Sequence, residues 1–184
     1  MKKITILLTS VFFAATYFHN ANADSYTYTP YFGVDYTFNQ TKAEKFNPHY
    51  HVGGLHLGSD YGKYFSTELF VNAGNRDKRA ATPENIRSSY YNYGLDILAY
   101  LPILLEEKLS LLATSGIGEY VYKTKFSPTN RWHEHGYGYR FGGGVKYAFD
   151  NHWQSRLIGR YINFDHLSGY DHAAEYTFSV EYHF

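Results

Sequence analysis

Two kinds of side chain alternate with period two along most of this chain, and that pattern leaves few folds open. In Tyr137–Phe149 one row reads Tyr137, Tyr139, Phe141, Gly143, Val145, Tyr147, Phe149, and the other reads Gly138, Arg140, Gly142, Gly144, Lys146, Ala148. The last residues repeat it, with Tyr176, Phe178, Val180, Tyr182 and Phe184 against Glu175, Thr177, Ser179, Glu181 and His183. Near the start, Phe32, Val34, Tyr36 and Phe38 alternate with Gly33, Asp35 and Thr37. Successive side chains of a strand point to opposite faces, so each segment is a strand with one apolar and one polar face. Five further strands are read at about His49–Gly58, Tyr64–Gly74, Ser89–Leu101, Lys108–Tyr122 and Trp153–Phe164, for eight in all. The fifth is the least regular, because Leu111 and Leu112 are both apolar and Glu119 falls on the apolar row.

The first residues follow a different rule. Lys2 and Lys3 precede an apolar stretch from Ile4 to about Phe18, and Ala21-Asn22-Ala23 supplies a small-x-small cleavage pattern. Residues 1–23 are therefore expected to be a signal peptide, with Asp24 opening a single mature domain, 24–184. Without cysteine there is no lipidation site, disulfide framework or thiolate nucleophile. The 17 basic and 17 acidic residues balance, which excludes the basic excess of a nucleic-acid binder. After the leader no apolar run reaches the length of a helical membrane span. A mean hydropathy of -0.45 suggests a soluble protein, but averaging hides the two faces.

Glycine and aromatic placement decide which face is inside. Gly33, Gly94, Gly138, Gly142 and Gly144 share the charged row, as the crowded concave side of a narrow barrel requires, while the opposite row is Tyr, Phe, Leu, Ile and Val. Aromatic residues also gather at strand ends: Tyr36, Phe38, Tyr91, Tyr137 and Tyr139 at one rim, Tyr147, Phe149, Trp153, Tyr182 and Phe184 at the other. Two aromatic girdles around an apolar band fit the two interfaces of a bilayer. Connections alternate between short (59–63, 102–107, 150–152) and longer polar ones (39–48, 75–88, 125–136, 165–172). The expected fold is an all-β, eight-stranded antiparallel transmembrane β-barrel with short periplasmic turns and longer extracellular loops. It is closed because an open edge in lipid strands backbone groups. Asp35, Glu68, Asp96, Arg140, Lys146, Arg156 and Arg160 then project into a lumen that eight strands leave only wide enough for side chains. Such charges must pair, so a packed ionic network is expected in place of a channel.

The stretch Tyr139–Trp153, with Arg156 and Arg160-Tyr-Ile-Asn-Phe164, resembles the later strands of the OmpA-like family of eight-stranded outer-membrane barrels. Gly94–Pro102 and Gly116-Ile-Gly118 resemble its middle strands, and the terminal Phe184 is similar to the signal read by the barrel-assembly machinery. The resemblance implies a cell outer-membrane location, partners among outer-membrane lipid, lipopolysaccharide and the assembly machinery, and roles in envelope integrity, adhesion, immune evasion or small-scale transport. A structural or adhesin-like role without catalysis is the expectation, with no cofactor and no metal.

Other residues carry rival chemistry. His166-Leu167-Ser168 with Glu175 resembles the His-x-Ser pair and downstream Glu of outer-membrane lipid A deacylases, where imidazole takes the serine proton and carboxylate holds the imidazole. Gly169 stands where that family has Asn, and Glu175 follows sooner. His49, His51, His133, Glu134, His135, His166 and His172 are all placed at the loop end, where imidazoles two residues apart share a strand face and suit zinc or copper. They are expected to stand in polar surface loops and to gain charge together below about pH 6.5. Asn75–Arg79 and Lys42–Lys45 make the outer loops partly basic, a match for lipopolysaccharide phosphates or a host glycan.

Overall fold

The computed structural model describes residues 28–43, 47–76, 87–104, 108–125, 131–165, 167 and 169–184. Eight strands run β1 (Tyr28–Ala43), β2 (His49–Tyr61), β3 (Phe65–Arg76), β4 (Arg87–Leu104), β5 (Leu109–Lys125), β6 (Arg131–Ala148), β7 (Trp153–Asp165) and β8 (Tyr170–His183). Each pairs antiparallel with its sequence neighbour, and β8 closes onto β1 with Val34 opposite Val180. Among the described residues no strand edge remains unpaired, as lipid surroundings demand. Both β1 and β8 have one end beside the short turns, where Phe184 N–H donates to Pro30 O at 3.0 Å and His183 N–H to His152 O at 2.7 Å.

The faces divide as the period demands. One apolar side chain from every strand (Val34, Leu55, Val71, Leu95, Ile117, Phe141, Leu157 and Phe178) stands outward, 41–57% exposed. The girdle residues Tyr36, Tyr137, Tyr139, Phe149, Trp153 and Phe184 are exposed as well. Among the described residues no helix is long and apolar enough to cross a membrane, so any crossing is made by strands. Inside, the seven charged residues expected in the lumen all face inward, and glycines give them room. A Cβ at Gly33 would fall on the His56 ring, and one at Gly116 would fall on the Asp96 carboxylate. Gly62 serves otherwise: in the turn between β2 and β3 its φ of 67° lies in the left-handed region that other residues avoid.

Two features differ from the sequence reading. The strands run farther at the long-loop end than the hydropathy alternation reaches. Residues 39–43 belong to β1, 131–136 to β6 and 170–172 to β8, because backbone pairing does not depend on hydropathy and continues above the apolar band. The His133-Glu134-His135 segment is consequently strand. The second difference is on β5, where Leu112 points inward and Leu111 outward, so the row stays regular. Glu119 does stand on the outer row, accepting a hydrogen bond from the Tyr93 hydroxyl with His135 Nδ1 at 3.9 Å.

Candidate functional site

The interior is layered. At the long-loop end Tyr50, Val52, Tyr90, Tyr120, Tyr122, Ile162, Leu167, Tyr170 and Ala173 form one buried cluster. Its rings touch in sequence: Tyr50 to Tyr90 at 5.4 Å between centroids, Tyr90 to Tyr122 at 4.9 Å, Tyr122 stacked on Tyr170 at 4.4 Å. At the turn end Leu98, Tyr100, Leu112 and Ile158 form a smaller cluster, with Lys146 Nζ 3.7 Å from the Tyr100 ring centre. Tyrosine suits these positions because its ring seals while its hydroxyl reaches polar neighbours. Tyr90 donates to Glu175 at 2.9 Å, and Tyr31 donates to Glu68 at 3.2 Å.

From the long-loop cluster to the turn end runs a chain of alternating charges. Glu175 Oε2 lies 3.8 Å from Arg140, whose Nε is 3.1 Å from Asp96 Oδ1. Arg160 bridges Asp96 (3.1 Å) and Glu68 (3.6 Å). Arg156 bridges Glu68 (2.8 Å) and Glu181. His56 continues from Glu181 (3.2 Å) to Asp35 (2.9 Å), and His183 from Glu181 (3.3 Å) to Asp60 (3.3 Å), which Lys146 approaches at 4.0 Å.

The register explains who meets whom. Inward carboxylates come from β1–β4 and β8, whereas the inward arginines and the lysine come from β6 and β7. Glu68 and Asp96 are direct cross-strand partners, as are Lys146 and Arg156. Like charges therefore sit side by side on β3–β4 and on β6–β7, while opposite charges meet across the lumen and along the β7–β8 seam, where Arg160 stands opposite Glu175. Each ion has at least one partner, which a site of such burial requires.

Sequence reasoning found the inward arginines, Lys146, Asp35, Glu68 and Asp96. It missed His56, Asp60, Glu181 and His183 as members of the network, and it placed Glu175 only in the serine–histidine pattern. Parity with Thr177 and Ser179 is the signal that puts Glu175 and Glu181 inside. The inward tyrosines were also missed, since a tyrosine-rich segment fits either face.

Of the His166, Ser168 and Glu175 set, His166 and Ser168 lie outside the described residues. The Glu175 carboxylate faces the lumen, accepting hydrogen bonds from Asn39 (3.1 Å) and Tyr90 (2.9 Å) beside Arg140. The loop-end histidines fall into two sets: His49 and His51 on β2 and His172 on β8 stand outward on either side of β1, and His133 and His135 stand outward on β6. Among the described residues, one group has metal-ligand spacing, formed by buried His56, Glu68 and Glu181. The Arg156 guanidinium, 2.8 Å from Glu68 and 3.1 Å from His56 Nε2, already supplies the cation there. Of the basic loop segments, residues 44–46 and 77–86 lie outside the described residues, and Lys42 is exposed on β1.

Comparison with known proteins agrees with this architecture. Among curated proteins no relative matches. Neisserial surface protein A superposes with a TM-score of 0.72 at 10% identity, over 84% of this chain and 97% of that one. Ail, the attachment invasion locus protein of Yersinia pestis, gives 0.60 at 14% identity, over 85% and 98%. The N-terminal β-barrel domain of Pseudomonas aeruginosa OprF gives 0.52 at 13% identity, over 84% and 97%. At these identities the likeness is one of fold. The family model of the outer membrane protein beta-barrel domain matches residues 4–184. A closed barrel with an apolar exterior, a sealed ionic interior and that match make one statement: the chain belongs to the outer membrane protein beta-barrel domain family.

Proposed function

We propose that this protein is a small, non-catalytic outer-membrane barrel with a structural or surface-interaction role, adhesin-like, exercised through the rim formed by its longer loops. The observation that carries this reading is the filled lumen. Among the described residues its acids and bases are paired with one another below the buried tyrosine cluster, so side chains fill the interior. Chemistry with the outside then falls to the extended strand ends and the connections around residues 44–48, 77–86, 126–130 and 166–169. The barrel-assembly machinery, reading the row that ends in Phe184, is the partner during insertion.

Two experiments test the reading together. Bacteria displaying the intact protein are compared, for binding to host cells and immobilised matrix glycans, with bacteria whose 77–86 connection is cut to a tight turn. Binding should fall in the shortened variant while the barrel still folds, and undiminished binding would refute the assignment to that rim. Mass spectra of lipid A from cells with the intact protein and with Ser168→Ala should be identical. Loss of an ester-linked acyl chain that depends on Ser168 would make the protein a lipid A hydrolase instead.

A further inference from the structure

Around Gln40 the outer face of the barrel is not smooth. A pocket of about 300 Å³ opens there, lined by Gln40, Thr41, Lys42, Asn47, His49, His172 and Ala174, at the lower end of the volumes usual for small-molecule sites. The strand register builds it. Gln40 pairs with His49 on one side and Ala174 on the other, and Lys42 pairs with His172 in the next outward row. Ala174, with a single methyl group, leaves the space that a larger side chain would fill. The imidazoles have fixed platforms: His49 lies parallel to the Phe38 ring (5.7 Å, 6°), and His172 is stacked on Tyr161 (5.2 Å, 24°). Thr41 N–H donates to Pro48 O at 3.0 Å, holding the chain that carries Asn47 across the top.

The polar lining is rich in donors. One ammonium, two imidazoles and two amides converge, and no carboxylate is among them. On the surrounding strands Asp35, Asp60, Glu175 and Glu181 face the lumen, and Asp165 at the end of β7 and Asp171 on β8 do not line the pocket. Depth adds the second argument. The outward row just below holds Tyr176, Phe38 and His51, with the exposed Tyr36 below that. Aromatic girdles sit at headgroup level, so a pocket one row above them opens where lipid phosphates lie.

We propose that the groove around Gln40, with Lys42, His49 and His172 as its donors, binds the phosphate-bearing headgroup of an outer-leaflet lipid. The assignment rests on the outer-membrane fold and is independent of the loop-mediated role proposed above. Phosphate is the group that matches a mixed ammonium, imidazole and amide lining, since charge-assisted hydrogen bonds to it are the strong ones.

The folded full chain in uncharged detergent micelles is titrated with lipid A, with lipid A stripped of its phosphates, and with inorganic phosphate, following the imidazole nitrogen and proton signals. Lipid A should shift His49 and His172 and leave His152, in a short turn, unmoved. Lys42→Ala should weaken binding about tenfold, the usual loss for a hydrogen bond to a charged group. Ala174→Leu, which fills the groove and changes no charge, should weaken it at least as much. Heat-modifiable gel migration checks that each variant is folded. Equal affinity for the dephosphorylated lipid would overturn the proposal, as would inorganic phosphate binding as tightly as lipid A, or both variants binding like the parent.

Discussion

Arg156 is the residue whose removal tests the interior most directly. It is 1% exposed and joins Glu68 at 2.8 Å to Glu181, with His56 Nε2 3.1 Å away. Replacement by Met keeps most of the volume and strands the two carboxylates. Breaking a buried ion pair by removing one partner costs ~3–5 kcal/mol, because the remaining charge is left uncompensated. Two acids lose their partner here, which would double that range if nothing else touched them. Something does: Glu68 retains Arg160 at 3.6 Å and the Tyr31 hydroxyl at 3.2 Å, and Glu181 retains His56 at 3.2 Å and His183 at 3.3 Å. The expected loss for Arg156→Met is therefore about 3–5 kcal/mol in total, the size of one stranded ion. Adding Glu68→Gln and Glu181→Gln removes the stranded charges, so the triple variant should recover at least half of the loss. Urea unfolding in lipid vesicles, read by gel migration and by fluorescence of Trp153 at the turn-end girdle, measures both. A single variant within about 0.5 kcal/mol of the parent, the size of an ordinary surface change, would refute the reasoning. So would a triple variant no more stable than the single one.

The remaining predictions follow from other layers. In planar bilayers the protein should show no stable conductance steps, because the tyrosine cluster and the paired charges below it fill the path; reproducible ohmic steps would contradict the filled lumen. Gly116→Val places carbon on the Asp96 carboxylate and should cost about 1–3 kcal/mol of stability, as overpacking does, measured by the same urea titration. In the exposed turn between β6 and β7, the Asp150 carboxylate accepts hydrogen bonds from the N–H groups of His152 and Trp153, both at 2.7 Å, and these hold its pKa below the usual 3.8. A lowered folded value means that its contribution is present above the ordinary carboxylate range and is lost as pH falls through the folded value. Asp150→Ala should thus unfold more readily than the parent at neutral pH and converge with it in acid; a constant gap across that titration would reject the role.

Much of this molecule was readable before its coordinates. Period two gave the strands, and glycine on the charged row identified the concave face, since a Cβ at Gly33 or Gly116 meets a lumen side chain. What stayed hidden has a physical cause. Tyr90 and Tyr91, or Tyr120, Val121 and Tyr122, are apolar on both parities, and a phenol is at home at a lipid interface and in a polar core alike. Only three-dimensional register shows that Tyr90, Tyr120 and Tyr122 seal the lumen. Strand ends were equally hidden, because hydropathy marks where lipid stops and backbone pairing does not stop there. The serine–histidine pattern rested on residues joined only by sequence proximity, and parity alone would have assigned Glu175 to the lumen beside Thr177. The groove around Gln40 had no sequence signal, since its lining comes from β1, β2 and β8, and it exists only when the first and last strands meet.

The separation of charge by strand has a consequence for how the chain enters the membrane. An unrolled sheet of β1–β4 carries acids that repel one another, and β6–β7 carry guanidinium and ammonium groups that do the same. On β8, Glu175 and Glu181 answer part of the β6–β7 charge, whereas Glu68, Asp96 and Asp60 meet their counter-charges only when the sheet rolls up. Insertion of the first four strands is thereby coupled to closure of the barrel. A fragment ending at residue 104 should fail to insert alone and should insert when mixed with one beginning at residue 108; insertion of the first fragment by itself would show that the two steps are separable.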